Sequence, residues 1–167
     1  AVDAGLNQAQ LGAIITFGIK AHRPETGYGY IRMGQAITEN DIYAIDGFVE
    51  KPDMATAQTY VDSGQYLWNS GIFMMRASVW LRAIQHFNPT MYTACQQSIA
   101  NAKSDCDFVR ITKEDFSLCP SDSIDYAVME KSKKVKVVPA DIGWSDLGSF
   151  DSLYDALPKD ISGNTIA

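Results

Sequence analysis

Histidine, cysteine and surplus positive charge are scarce in this chain, and each scarcity narrows what it does. Its two histidines, His22 and His86, lie far apart without ligand-like spacing and read as surface or core residues. The three cysteines, Cys95, Cys106 and Cys119, are odd in number and show no C-x-x-C. That argues against a disulfide framework and a structural zinc site, and fits a reducing, cytoplasmic setting. The net charge is −6, which argues against a broad nucleic-acid surface or an anionic-membrane footprint. An anionic small ligand then requires a local basic site. No apolar run approaches the roughly 18 residues of a membrane span. The opening "AVDAGLNQAQLG" has neither the basic start nor the long apolar run of a secretion signal. The hydrolase signatures G-x-S-x-G and H-E-x-x-H are also missing.

What is present suits a packed core. Hydrophobic residues make up 46% and charged residues 20% of 167 positions, enough for one domain or a large part of one. The chain opens as a helix end (Ala4, Leu6, Ala9, Leu11) closed by Gly12, as if cut inside a larger domain. The run 13–19 is apolar and β-branched, as a strand buried on both faces is. An extended segment follows the loop "HRPETGYGYIRMG", and 40–52 alternates as a strand does, stopped by Pro52. Residues 54–61 predict a helix with Asp53 as cap and Ser63-Gly64 as stop. The apolar stretch 66–77 predicts a central strand. Ser78 is placed to cap a helix through Phe87, and Asn88-Pro89 ends it and starts the next. The polar stretch 100–108 reads as a loop, 123–131 as a helix, 134–141 as a strand, and 148–156 as a last helix. Strands alternate with helices, which predicts an α/β fold with a mixed, mostly parallel sheet covered on both faces.

Four short stretches carry chemistry or its bland equivalent. "FVEKP" sets Glu50 and Lys51 side by side where a strand stops. They form either a surface ion pair worth about 0–1 kcal/mol or a ligand grip beyond the strand's carboxyl end. Lys51 precedes proline and is expected to be extended. "GYG", residues 27–29, is either a tight turn or a backbone brought close to a ligand where a Cβ clashes. "WNSGIF" buries Asn69, Ser70 and Gly71 in an apolar strand, so these residues find internal partners or meet sugar hydroxyls. "GWSDLGS" sets Asp146 before a helix, as an N-cap or as one of the one or two carboxylates magnesium takes from a protein. The cluster Lys131, Lys133, Lys134 and Lys136 reads as a solvated helix end.

In order and spacing, "PETGYGYI", "FVEKPD", "YLWNSGIF", "SIDYAVMEKS" and "GWSDLGS" resemble the bacterial mannose-1-phosphate guanylyltransferases, including the type fused to a mannose-6-phosphate isomerase domain. The resemblance runs from about Phe17 to Asn164. It implies a Rossmann-like sugar-nucleotidyltransferase sheet, incomplete at its N-terminus, and residues 1–167 as the sugar-phosphate-binding, C-terminal part of one such domain. It implies the reaction of GTP with α-D-mannose 1-phosphate to give GDP-mannose and pyrophosphate, with Mg²⁺. In that pattern Glu50 holds sugar hydroxyls and Lys51 the sugar phosphate. Gly29 lets the hexose lie on the backbone, Asn69 and Gly71 line the pocket, Asp146 holds metal, and Glu25 stands near the sugar.

The chain also departs from the pattern. A glycine-rich G-x-G-x-R-x-x-P-L start and a first metal-binding aspartate are absent, and residue 150 is Phe where Trp is usual. A fragment so placed is expected to be inactive alone and to self-associate, or form a homo-oligomer, through exposed sheet edges. The rivals are another sugar-1-phosphate nucleotidyltransferase and a non-catalytic sugar-phosphate-binding module. A glycoside hydrolase using Glu25 and Glu50 is a weaker one, since it leaves Lys51 and Asp146 unexplained.

Overall fold

The computed structural model describes residues 1–38 and 41–165. Gly12 turns the chain with φ +96° after helix α1 (Val2–Gln10). The β-branched run then forms β1 (Ile14–Lys20), whose Ile14 and Ile15 are fully buried. Each such side chain contributes about 1.5–3 kcal/mol of burial energy. β2 (Gly29–Thr38) and β3 (Ile42–Glu50) follow; Asn40, which opens the predicted strand 40–52, lies outside the described residues. Helix α2 (Met54–Ser63) starts and stops as its sequence dictates. Asp53 accepts from the Thr56 N–H at 2.7 Å, and Gly64 takes the left-handed conformation.

β4 (Tyr66–Met74) leads to α3 (Ala77–Phe87) and α4 (Pro89–Ala100). The Asn88 side chain caps α4 from the Met91 N–H. Ser78 does not cap α3: the cap lies two residues earlier, at Arg76, and makes no side-chain bond. Residues 100–108 are not all loop. Lys103–Asp105 (β5) and Phe108–Arg110 (β6) pair as a hairpin, because Cys106 adopts φ +52° and supplies the tight turn. A short helix α5 (Lys113–Phe116) follows.

The predicted helix 123–131 is shorter and wider than an α-helix. Asp125–Met129 is a π-helical turn, in which the Glu130 N–H reaches back to the Asp125 carbonyl. It buries Ala127, Val128 and Met129. Such turns insert one residue and re-aim side chains, often at functional sites. The chain ends with β7 (Val135–Ala140) and α6 (Phe150–Ala156), the latter capped by Ser149.

The sheet is mixed but not mostly parallel. Of its five strand pairings only β1–β7 is parallel; β1–β4, β2–β3, β2–β4 and β3–β7 are antiparallel. The link between Thr38 and Ile42 is too short for a crossover, so β2 and β3 must pair antiparallel, whereas β7 returns only after three helices, a hairpin and the π turn. Nor is the sheet open. Three register shifts bend the β2–β3 ribbon, and its far end meets β7 at Tyr43–Val137 and Ala44–Lys136. The strands thus close in the order β1-β4-β2-β3-β7.

Ile31, Leu67 and Val137 form one buried cluster between these strands. Gly18 makes that possible, since a Cβ there would fall 2.6 Å from Leu67 and 2.8 Å from Val137. α1 covers Ile15, Phe17 and Val138, α2 covers Tyr30 and Trp68, and α3, α4 and the π turn cover Ile14 and Val135. All three cysteines are free, with the Cys95 and Cys119 sulfurs 4.0 Å apart. Among the described residues no helix is long and apolar enough to cross a membrane.

Candidate functional site

Strand register brings three of the singled-out residues together. Gly29 opens β2 directly opposite Glu50, the last residue of β3. A Cβ on Gly29 would overlap Glu50 Oε2 and lie 3.2 Å from the Asn69 Cβ. The glycine therefore leaves room between a carboxylate and an amide, as the close-approach interpretation of "GYG" requires. Gly27, by contrast, faces open space.

Glu50 is the most constrained group here. Its side chain is only 12% exposed, and Oε2 is buried without a hydrogen-bond partner. Burial raises its pKa, and the nearby Asp125 carboxylate raises it further, against the pull of Lys51. A buried acceptor left unpaired costs free energy, so Oε2 is an acceptor waiting for a donor.

Lys51 is not extended. Its φ is +50°, in the left-handed region. The following proline removes the right-handed helical option but not this one. The Lys51 N–H donates to the Tyr28 carbonyl at 3.1 Å, which pins the turn. Holding a non-glycine residue so costs about 1–3 kcal/mol and concentrates at functional positions. The ammonium lies 3.6 Å from Glu50 Oε1 and is 61% exposed. It is free to accept an anion from solvent.

Asn69 is largely spoken for. Its Nδ2 donates to Asp125 Oδ1 at 3.0 Å, and its Oδ1 accepts from Thr16 Oγ1 at 3.1 Å and from the Gly71 N–H at 3.4 Å. That leaves one N–H for a ligand. Ser70 likewise bonds internally, donating to the Phe17 carbonyl at 2.6 Å. Gly71 sits exposed at φ +71°. Asp125 completes this cluster and was not among the residues expected to form a site. Burial raises its pKa, against the Asn69 hydrogen bond. It opens the π turn, which no sequence pattern announces.

An aromatic wall adjoins Gly29. Tyr28 meets Trp68 edge-on at 5.3 Å and Trp144 at 5.4 Å, and His22 meets Trp68 at 4.7 Å. Trp68 is buried, and its Nε1 lacks a partner.

Two expected residues stand apart from the cradle. Glu25 is tied to Arg23 at 2.5 Å, which also reaches Asp155 at 3.2 Å. Its backbone N–H donates to Tyr30 Oη at 2.8 Å. Asp146 is exposed and makes no hydrogen bond or ion pair among the described residues, and Ser149, not Asp146, caps α6. Its loop is tied towards the cradle through Trp144, which meets Tyr28 and packs against the cluster of Tyr30, Ala57 and Trp68.

A Cβ on Gly148 would come within 2.6 Å of Asp146 Oδ2. The glycine thus leaves that carboxylate unencumbered. No group of three or more possible metal ligands occurs among the described residues. One free hard-oxygen ligand fits a cation that takes few protein carboxylates, as Mg²⁺ does.

The chain matches the Nucleotidyl transferase family over residues 2–163. Mannose-1-phosphate guanylyltransferase RfbM of Salmonella typhimurium is 50% identical over 155 residues, covering 93% of this chain and 32% of the relative. The xanthan biosynthesis protein XanB of Xanthomonas campestris is 49% identical over 164 residues, covering 98% of this chain and 34% of the relative. The crystal structure of mannose-1-phosphate geranyltransferase from Thermus thermophilus superposes with a TM-score of 0.76 at 32% identity, over 95% of this chain and 45% of that one. That of mannose-6-phosphate isomerase from Helicobacter pylori gives 0.77 at 29% identity, over 87% and 56%. The chain spans about a third of the length of these curated relatives. With its whole strand framework inside the matched range, this chain belongs to the nucleotidyl transferase family.

Proposed function

We propose that the chain is the sugar-phosphate-binding part of an enzyme that joins GTP and α-D-mannose 1-phosphate into GDP-mannose and pyrophosphate. The observation that carries this is the meeting of Gly29, Glu50 and Asn69 at a buried, unpaired carboxylate oxygen with an exposed ammonium beside it. A hexose 1-phosphate matches that pattern. Its hydroxyls donate to Glu50 Oε2 and accept from the remaining Asn69 N–H, its ring lies over Gly29, and its phosphate meets Lys51. Gly71, whose N–H donates to Asn69 Oδ1, stands beside the same site, and Glu25, held by Arg23, is the outlying member of the expected set.

Positioning then does the chemistry. A phosphate monoester has a second pKa of about 6, so the sugar phosphate is an ionised nucleophile at neutral pH. Its oxygen bonds to the α-phosphorus of GTP as the bond from that phosphorus to the departing pyrophosphate breaks. No base is required. Lys51 neutralises one of the two anions that must meet, and it does so as a charge held by a strained backbone. Asp146 is the residue here that would hold Mg²⁺, which when bound neutralises and aligns the phosphates. The chain alone lacks the glycine-rich GTP motif and is inactive as a transferase. We place the enzyme in the cytoplasm, in accord with three free thiols. Beyond Trp68, β4 stays paired with β1 at Asn69, Phe73 and Met74 but has no β2 partner among the described residues, and we infer self-association along that one open edge.

The test is pyrophosphate release by the parent protein with GTP or other nucleoside triphosphates and mannose 1-phosphate. The expected result is GTP- and mannose 1-phosphate-dependent release, with Lys51→Ala raising the sugar-phosphate requirement and none from the isolated chain. Release that ignores mannose 1-phosphate, or robust synthesis by the chain alone, overturns it.

A further inference from the structure

A cavity of about 940 Å³ opens where β1 and β7 begin, bordered by Gly12 and Ala13. It shares no residue with the cradle. Its apolar floor is formed by Ile14, Val79, Ala83 and Phe87. Its rim carries Arg82, His86, Lys131, Lys133, Lys134 and Lys136. Five of the chain's 14 lysines and arginines thus crowd one opening, and no aspartate or glutamate among the described residues lines it. In a chain of net charge −6 that is a segregated site rather than a sample of the surface.

Helix ends explain part of it. His86 lies in the last turn of α3 and Lys131 just past the π turn, where cations favour the helix dipole. Arg82, Lys133 and Lys134 have no such role. None of the five lysines and arginines forms a salt bridge among the described residues; only Lys136 is occupied, donating to Gln8 Oε1 at 2.6 Å. Unpaired like charges around a low-dielectric wall repel one another and concentrate anions. The volume falls within the roughly 300–1,000 Å³ of small-molecule pockets.

We propose that this cavity is a second ligand site, which takes an organic polyphosphate bearing an apolar or aromatic ring, the chemistry of a nucleoside polyphosphate. The phosphates lie among Lys131, Lys133, Lys134 and Arg82. The ring lies on Val79 and Phe87. Charge selects a polyanion over a monoanion, and the floor selects an organic one over an inorganic one.

The experiment titrates the ¹⁵N-labelled 167-residue chain with ATP and, separately, with inorganic tripolyphosphate. The expected result is saturable ATP binding with the largest shifts at Ile14, Val79, Phe87 and residues 131–134. Tripolyphosphate binds about tenfold more weakly, and Lys133→Gln with Lys134→Gln weakens ATP by about tenfold or more, as lost charge-assisted contacts do. Circular dichroism of that double variant matches the parent, because both side chains are exposed. Four results overturn the proposal: no saturation by about 5 mM ATP, equal affinity for tripolyphosphate, unchanged affinity in the double variant, or shifts centred on Glu50 and Asn69.

Discussion

The cradle and the basic cavity solve the problem of charge in opposite ways. The cradle half-buries its carboxylates, Glu50 and Asp125, and leaves its cation, Lys51, in solvent. The cavity leaves most of its cations in solvent around an apolar floor and buries no charge pair. Burying ionisable groups beside one another lowers stability and fixes geometry, whereas exposed cations cost little and steer anions. The first arrangement suits a ligand whose hydroxyls must be read one by one. The second suits a ligand recognised by its charge.

The largest expected break in this contrast is at Gly29. Gly29→Ala forces a methyl group into Glu50 Oε2 and against Asn69, so we expect a loss of about 1–3 kcal/mol of stability together with loss of sugar-phosphate binding. Thermal melts and a mannose 1-phosphate titration check both. Gly27→Ala, which meets open space, is the control expected to do neither.

Next is the strain at Lys51. Lys51→Gly relieves a left-handed backbone that Lys51→Ala retains, so the glycine variant should be the more stable of the two by about 1 kcal/mol. Denaturant midpoints decide it; equal midpoints sink the claim that the backbone is strained.

A smaller effect is pH-dependent. The folded-state pKa of Asp125 is raised by burial, so the native state holds its proton longer than the unfolded chain does. Stability from this group is therefore present below the ordinary carboxylate range and is lost as pH rises through the raised value. Asp125→Asn keeps an acceptor for Asn69 and removes the titration. Its melting temperature should match the parent near about pH 3.5 and exceed it at neutral pH. Parallel curves would contradict this. The smallest effect belongs to the cavity: Lys133→Gln with Lys134→Gln should leave stability within about 0.5 kcal/mol.

Local signals in the sequence translated well. Asp53 and Gly64 bound α2, Asn88-Pro89 opens α4, and the β-branched run after Gly12 is the buried β1. These depend on neighbouring residues alone. Strand direction and barrel closure depend on pairings between distant segments; the sheet is mixed as expected, but for that reason it is neither mostly parallel nor open. Glu50, Gly29 and Asn69 were legible as a group only through the family resemblance, since each stretch taken alone also allowed a bland role; strand register is what brings them together. Asp125 was not, since its bond with Asn69 joins segments 56 residues apart in the sequence. The Lys51 conformation was misjudged because a following proline excludes one backbone basin and leaves two.

The most direct test of the cradle is a pair of calorimetric titrations of mannose 1-phosphate, into the chain and into its Lys51→Ala variant. We expect saturable binding to the parent and affinity weakened by about tenfold or more in the variant, as the loss of a charge-assisted contact requires, with both proteins melting cooperatively. Equal affinities would show that the exposed ammonium beside Glu50 does not hold the phosphate.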